Sequence, residues 1–405
     1  MKTPCSLPAL PDRGYALSRT LGILGWGYLF WLLTSLGILK NDLAGQVFAL
    51  AALLVLSGLA LRSAGWKEIW GWMRSHNRLI LSSEILFFLA FAGWAVVRAA
   101  NPDLTSTEKP MELAFINAIL RSPSMPPNDP WLSGYAISYY YFGYVIIAML
   151  ARMSGALGSV AHNLGTALIF GLGAVGAYGI VYNLLSQWTH RKRLYALLGP
   201  LFILLVSNLE GLLEIMHARR LFWQTGASGE FTSGFWSWLG IADLNQPPVA
   251  PAAWVPRMFG TGSWWWWRAS RVVQDFNFAW APKEIIDEFP FFSFLLADLH
   301  PHVIAIPFAF LAISLALNLY LGGGDGSIYL PGTKFHLAIS RWNFLLAAVT
   351  LGGIFFLNAS DFPFYVVLVA GAYALGRIKA PLTSILLELF GAGLALGAAG
   401  YLLYL

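Results

Sequence analysis

Apolar runs of about twenty residues recur along the chain, at roughly 21–39, 43–61, 79–98, 164–186, 195–215, 302–322, 342–359, 361–376 and 383–405. That is the length a helix needs to cross the hydrocarbon of a bilayer, where every backbone polar group must be satisfied within the segment. Hydrophobic residues make up 58% of the 405 and charged residues 11%, too little charge to cover a soluble surface of this size. The expected fold is all-α: a polytopic transmembrane helical bundle of about nine spans, with two large outer loops that carry interfacial helices.

Basic residues orient the bundle. Lys2, Arg13 and Arg19 precede the first run, and Arg62, Lys67, Arg74 and Arg78 follow the second, so both segments belong on the cytoplasmic side. The N-terminus is expected in the cytoplasm of a multi-pass protein of the cell membrane, and 79–98 delivers the polar stretch Asn101 to Gly143 to the outer face. A tenth apolar run, 136–153, decides the rest. If it crossed, His190, Arg191, Lys192 and Arg193 would lie outside, with Arg377 and Lys379 after them. If it lies in the interface, these clusters return inside, together with Lys334 and Arg341. Its five tyrosines, Tyr135, Tyr139, Tyr140, Tyr141 and Tyr144, favour headgroup depth, and the interfacial reading is adopted. The long loop 216–301 and the turn Asn358 to Phe364 then share the outer face with Asn101 to Gly143. Residues 1–78 read as an N-terminal hairpin with its cytoplasmic loop, and 79–405 as the main membrane domain. The chain ends in an apolar run at Leu405, as a short member or a fragment of something longer would.

Composition also excludes. The single Cys5 leaves no internal disulfide, cysteine zinc site or redox pair. The net charge of +5 is small, fits cytoplasmic loops, and does not describe a nucleic-acid surface. The 18 Trp, 16 Tyr and 28 Phe point instead to membrane lipid as a partner, through interfacial aromatic belts.

Chemistry concentrates in the polar stretches. The first outer loop carries Asp103, Glu108, Glu112 and Asp129, stiffened by Pro102, Pro110, Pro126, Pro127 and Pro130. A carboxylate at a membrane surface can serve as a general base or hold a divalent cation against a phosphate, while each taken singly also reads as a solvated loop charge. Downstream, Asp298, His300 and His302 form a D-x-H-x-H array of possible metal ligands, equally readable as a hydrogen-bonded helix start or as phosphate-binding imidazoles. Asp287 and Glu288 lie just before it. Arg257, Arg268 and Arg271 accompany the run Trp264 to Trp267. They suit either a phosphate with a sugar stacked on indole or an aromatic-basic membrane anchor. Asp361 interrupts two apolar runs. Of the acids inside spans, Glu84 near the cytoplasmic end reads as a snorkelling or helix-contact group and Glu210 towards the outer face as the better functional candidate, while Gly171, Gly173, Gly176 and Gly179 serve helix packing.

The run Tyr139-Tyr140-Tyr141-Phe142-Gly143 resembles the YYYxG signature of the Chlor_Arch_YYY family of multi-spanning membrane proteins. Similar too are EKPM at Glu108 to Met111, DPWLSG at Asp129 to Gly134, EFPFFSFLLADLHPH at Glu288 to His302 and NASDFP at Asn358 to Pro363. The likeness extends from about residue 80 onward and brings no established activity with it. More loosely, the arrangement resembles the GT-C class of membrane glycosyltransferases, which place an acidic first outer loop directly after a spanning helix. That resemblance implies a sugar donor linked to polyprenyl phosphate. It makes Asp103 the candidate base, assisted by Glu108 or Asp129, and lets Tyr139, Tyr140, Tyr141, Arg257, Arg268, Arg271, Glu288 and Asp361 contact substrate. The extra N-terminal hairpin and the lack of a D-x-D depart from the class. A transporter or lipid flippase is the second reading, ranked lower because few charges lie mid-span. A non-catalytic envelope scaffold is the third.

Overall fold

The computed structural model describes residues 7–186, 188–227, 229–241, 243–248, 265–322, 326–329, 336–377 and 381–405. It divides into two compact units, Met1–Pro200 with Ala297–Leu405, and Leu201–Leu296. The first unit opens with α1 (Ser18–Ser35), α2 (Leu43–Ala64), α3 (Trp66–Ser75), α4 (Asn77–Ala100), α5 (Lys109–Arg121), α6 (Phe142–Ser154) and α7 (Gly158–Leu185). The second contains α8 (Glu210–Ala218), α9 (Trp265–Ala269) and α10 (Pro290–Leu296). The first then resumes with α11 (Pro301–Tyr320), α12 (Arg341–Leu357), α13 (Phe362–Leu375) and α14 (Leu382–Leu403). The strands are short antiparallel pairs at the loops, such as Gln274–Phe276 with Pro282–Glu284.

Among the described residues, six helices are long and apolar enough to cross a membrane: α1, α2, α4, α7, α11 and α14. Three of the nine expected spans differ in form. The 195–215 run is interrupted at Ser207–Leu209, and its two parts make a seventh span only if taken together. Helices α12 and α13 have 17 and 14 residues. A turn shortens them, with Asp361 N–H donating to Asn358 O at 3.1 Å and Pro363 in the first turn of α13. Caps fix other boundaries. Asp42 accepts the Gly45 N–H at 2.8 Å at the start of α2, and Ser340 caps α12 through the Asn343 N–H.

Within the first unit, helix ends meet on two opposite faces. On one, Asp12 and Asn183 exchange hydrogen bonds of 3.0 and 2.8 Å, and Ala9 N–H reaches Asn318 Oδ1 at 3.1 Å. Glu84 there takes the Tyr15 hydroxyl at 2.7 Å and an ion pair from Arg19, so this acid near the start of α4 is fully engaged. Arg13 pairs with Glu68 of α3. At the other face, Arg98 near the end of α4 donates from Nε to Asn163 Oδ1 near the start of α7 at 2.9 Å. Thus α1 and α4 run one way, and α7 and α11 return. The N-terminal segment, the 62–78 loop and the end of α7 before His190 to Arg193 share a face. That is the arrangement the positive-inside rule requires. The loop 62–78 is itself largely the helix α3, with no buried residue and with Trp66 and Trp70 stacked and exposed, an interfacial form.

Helix α6 departs from the surface-lying element expected for 136–153. At 13 residues it is too short to cross, but it is wrapped by protein rather than laid along the interface. Phe142, Tyr144, Val145 and Ala148 are completely buried, and α1, α2, α5, α7, α11 and α12 all pack against it. A helix apolar on all sides belongs inside a bundle, because it has no polar face for water or headgroups. Of the five tyrosines, only Tyr135 is exposed, while Tyr139 and Tyr140 are partly covered and Tyr141 and Tyr144 are buried. Small residues bring the helices together, as expected where lipid is no less apolar than a side chain. A Cβ on Gly176 would meet Phe310 and Leu17, one on Gly179 would meet Ala16, and Gly352 lies against the backbone of Gly400.

Candidate functional site

The face opposite the basic clusters gathers the chemistry. Glu108 stands at the N-cap of α5, with Pro110 in the first turn, so Glu108, Lys109 and Glu112 occupy one helix end. The four-residue spacing puts Glu108 and Glu112 on the same side of that helix. His300 is the N-cap of α11, followed by Pro301. The two helix starts face each other: His300 Nε2 lies 2.7 Å from Glu108 Oε2 and 2.9 Å from the Tyr139 hydroxyl. His300 Nδ1 is 3.0 Å from His302 Nδ1, so one of the two nitrogens must carry a proton. A carboxylate oxygen of Asp298 and a ring nitrogen of His302 lie within 4.8 Å of each other.

Behind this edge is a buried layer. Glu112, completely buried, accepts the Leu299 N–H at 3.1 Å and pairs through Oε2 with His162 Nε2 at 2.7 Å. A side-chain hydrogen bond also joins it to Asp298. Burial pushes the Glu112 carboxyl up to about 7, against the Asp298 and Leu299 hydrogen bonds that pull it down. Lys109 is 5% exposed, and burial together with the nearby Arg98 charge lowers its ammonium below the ordinary lysine range. Tyr139 is pushed up to about 12 by burial and the Glu108 charge. Arg98 Nη2, Glu112 Oε1, Tyr144 Oη and His162 Nδ1 are buried with no hydrogen-bond partner among the described residues. This layer is polar on its inside, where a ligand's own donors and acceptors can complete it.

The structure sorts the expected residues. Glu108, Tyr139, Asp298, His300 and His302 come together. Asp103 is exposed, bonded to the Thr105 hydroxyl, which holds its carboxyl below the usual range; it acts electrostatically on Lys109 and Arg98. Asp129 accepts the Trp131 and Leu132 N–H groups at 2.8 Å each, shaping the DPWLSG turn, and borders a cleft of about 360 Å³ with Asn117 and Arg121. Tyr140 packs on Tyr139, whereas Tyr141 takes the Trp31 indole N–H at 3.1 Å and packs on Phe356. Asp361 belongs to the turn before α13. In the unit Leu201–Leu296, Arg268 pairs with Glu214 at 2.9 Å, and Arg271 pairs with Glu284 at 2.6 Å while lying over the Trp267 ring. Glu288 accepts from the Ser293 hydroxyl at 3.1 Å. Arg257 lies outside the described residues.

Sequence reasoning placed Glu112 among the loop acids and did not single out Arg98, Lys109 or His162. The signal available was the Glu108/Glu112 spacing ahead of an apolar run, which marks one face of a helix start. His162 gave none, because an imidazole at the head of a long apolar helix has no partner legible in the chain order.

Helix ends gathered on one face around paired carboxyl and imidazole groups define a polytopic helical membrane protein with an open polar edge backed by a buried polar layer. The chain belongs to the family described as uncharacterized membrane protein (DUF2298), whose model matches residues 26–405. No curated protein and no solved structure matches it.

Proposed function

We propose that the Glu108–His300 cluster is the active site of a membrane glycosyltransferase that takes its sugar from a polyprenyl-phosphate carrier on the outer face, with the N-terminus cytoplasmic. The observation that carries this reading is the Glu108–His300 pair at 2.7 Å, set at the edge of a buried polar layer that contains Lys109 and Arg98. The acid-bearing loop directly after a spanning helix supports it by architectural analogy.

In this reading Glu108, exposed enough to meet an acceptor, takes the proton of the acceptor hydroxyl as its oxygen attacks the anomeric carbon. The bond from that carbon to the phosphate oxygen breaks, and the carrier phosphate leaves with the electron pair. Lys109 and Arg98 supply positive charge toward that phosphate, strengthened by their low-dielectric surroundings. His300, held by Tyr139 and His302, orients the Glu108 carboxylate. Asp298 and His302 are the groups that would hold a divalent cation. This assignment moves the base from Asp103, the residue favoured by the resemblance, to Glu108.

The test is transfer from a polyprenyl-phosphate sugar in membranes containing the full chain. Glu108→Gln is expected to lower it by about 10²–10⁴-fold with unchanged protein level. Flux of the lipid-linked sugar across vesicles with no covalent transfer would replace this reading with transport.

A further inference from the structure

The unit Leu201–Leu296 holds a second cluster of titratable groups. Leu201–Val206 is wound as a π-helix, the chain breaks at Ser207–Leu209 with Ser207 at φ 55°, and α8 restarts at Glu210. Side chains hold the break open. The Ser207 hydroxyl accepts the Phe291 N–H at 3.0 Å, and Asn208 Oδ1 accepts the Glu210 N–H at 3.0 Å. A helix interrupted in an otherwise apolar run frees backbone and brings polar side chains to depth, the setting in which membrane proteins bind small ions.

Glu210 and Glu214 lie one turn apart on the same face of α8, and each is 5% exposed. The restart of the helix at Glu210 sets their carboxyl groups side by side within its first two turns. Two like charges held that close and away from water repel, and a proton on one of them relieves the repulsion. Glu210 Oε2 is buried with no hydrogen-bond partner among the described residues. Among those residues the helix packed against α8 is α9, and its charged group is Arg268, whose Nη2 lies 2.9 Å from Glu214 Oε1. On α8 itself, His217 is turned to the Gln246 carbonyl at 2.7 Å. One guanidinium cannot balance two buried carboxylates, and the low-dielectric surroundings make the uncompensated charge costly. A bound proton removes it.

We propose that Glu210 and Glu214 form a proton-binding site, one proton shared between two carboxyl groups beside Arg268. Releasing it converts one carboxylic acid to carboxylate and hands the proton to water or hydroxide, with no other bond made or broken. The site stands apart from the Glu108 reading and does not depend on it.

The experiment is pH-difference infrared spectroscopy of the full chain in lipid vesicles, following the carbonyl stretch of protonated carboxylic acid. The chain used throughout carries Glu112→Gln, which takes the buried carboxyl of the other unit out of the spectrum, and it is expected to show a band that disappears on alkalinisation. Glu210→Gln and Glu214→Gln are each expected to lose it, since the remaining carboxylate then has Arg268 to itself and ionises. A band unchanged in both variants overturns the proposal. Carbodiimide labelling of the wild type gives a second readout that needs no variant. The protonated carboxyl adds across a C=N bond, its proton passing to nitrogen, and the acyl group then migrates to nitrogen, so all atoms are retained. Mass spectrometry is expected to find the adduct on Glu210 or Glu214 at neutral pH. Its absence from both residues would overturn the proposal equally.

Discussion

His300 Nε2 lies 2.7 Å from Glu108 Oε2, joining the start of α11 to the start of α5 across nearly half the chain. Each residue is a helix N-cap, so both side chains stand at rigid element ends rather than on loose loop. The Tyr139 hydroxyl, 2.9 Å from the same nitrogen, fixes the ring from a third direction.

Tyr139→Phe keeps the ring packing on Phe115 and Tyr140 and removes only the hydroxyl. Sugar transfer is expected to fall by about tenfold, the worth of one hydrogen bond of about 1.4 kcal/mol. The check is steady-state transfer by purified chain in vesicles, and an unchanged rate would mean that His300 needs no third support.

Asp103→Asn and Asp129→Asn are expected to leave more than a tenth of transfer, against the much larger loss with Glu108→Gln. Asp103 is solvated beside Thr105, and the amide oxygen that Asp129→Asn introduces still accepts the N–H groups of Trp131 and Leu132. The comparison is a side-by-side assay of the three variants. A loss with Asp103→Asn as deep as that with Glu108→Gln would return the base to Asp103.

Glu112 links the buried layer to pH. Its carboxyl sits at about 7 in the folded chain against an ordinary 4.5. Below about 4.5 the group is protonated whether folded or not, and its stabilising share is fully present. Between the two values the folded chain keeps a proton that the unfolded chain has released, so stability falls as pH rises, by at most about 1.4 kcal/mol per unit. Glu112→Gln cannot ionise and is expected to flatten that slope. Thermal unfolding of both chains in detergent across this range measures the difference.

Gly352 packs against the backbone of Gly400 and the Tyr404 ring, where α12 meets α14. Gly352→Ala forces those helices apart, and the Tyr404 hydroxyl bond to Val349 O at 3.1 Å goes with them. The expected cost is about 1–3 kcal/mol, read as a lowered Tm in detergent. Gly371→Ala, with open space where the Cβ would go, is the control expected to change little.

If a cation takes part, Asp298 and His302 are where it binds, and a chelator is expected to abolish transfer, with a divalent ion restoring it. Asp298→Asn is then expected to raise the ion concentration needed for half-maximal rate. Transfer indifferent to chelation would leave the two residues with a positioning role only.

The membrane class, the helical content and the location of most helices were legible in the sequence, because bilayer thickness imposes its length on apolar runs whatever packs beside them. The grouping of basic segments on one face was legible for a similar reason, since a charge rule needs only the order of segments. Local signals also served where one element carried them: the LHPH stretch did start a helix, and NASDFP did form a turn. Tertiary structure decided the rest. It buried α6 as a central helix, since tyrosines read alone suggest an interface and only the surrounding helices show what they touch. It drew Arg268 and Arg271 to Glu214 and Glu284, and matched Glu112 with His162. A carboxylate's partner and its desolvation depend on elements distant in the chain, and no local pattern of residues encodes either.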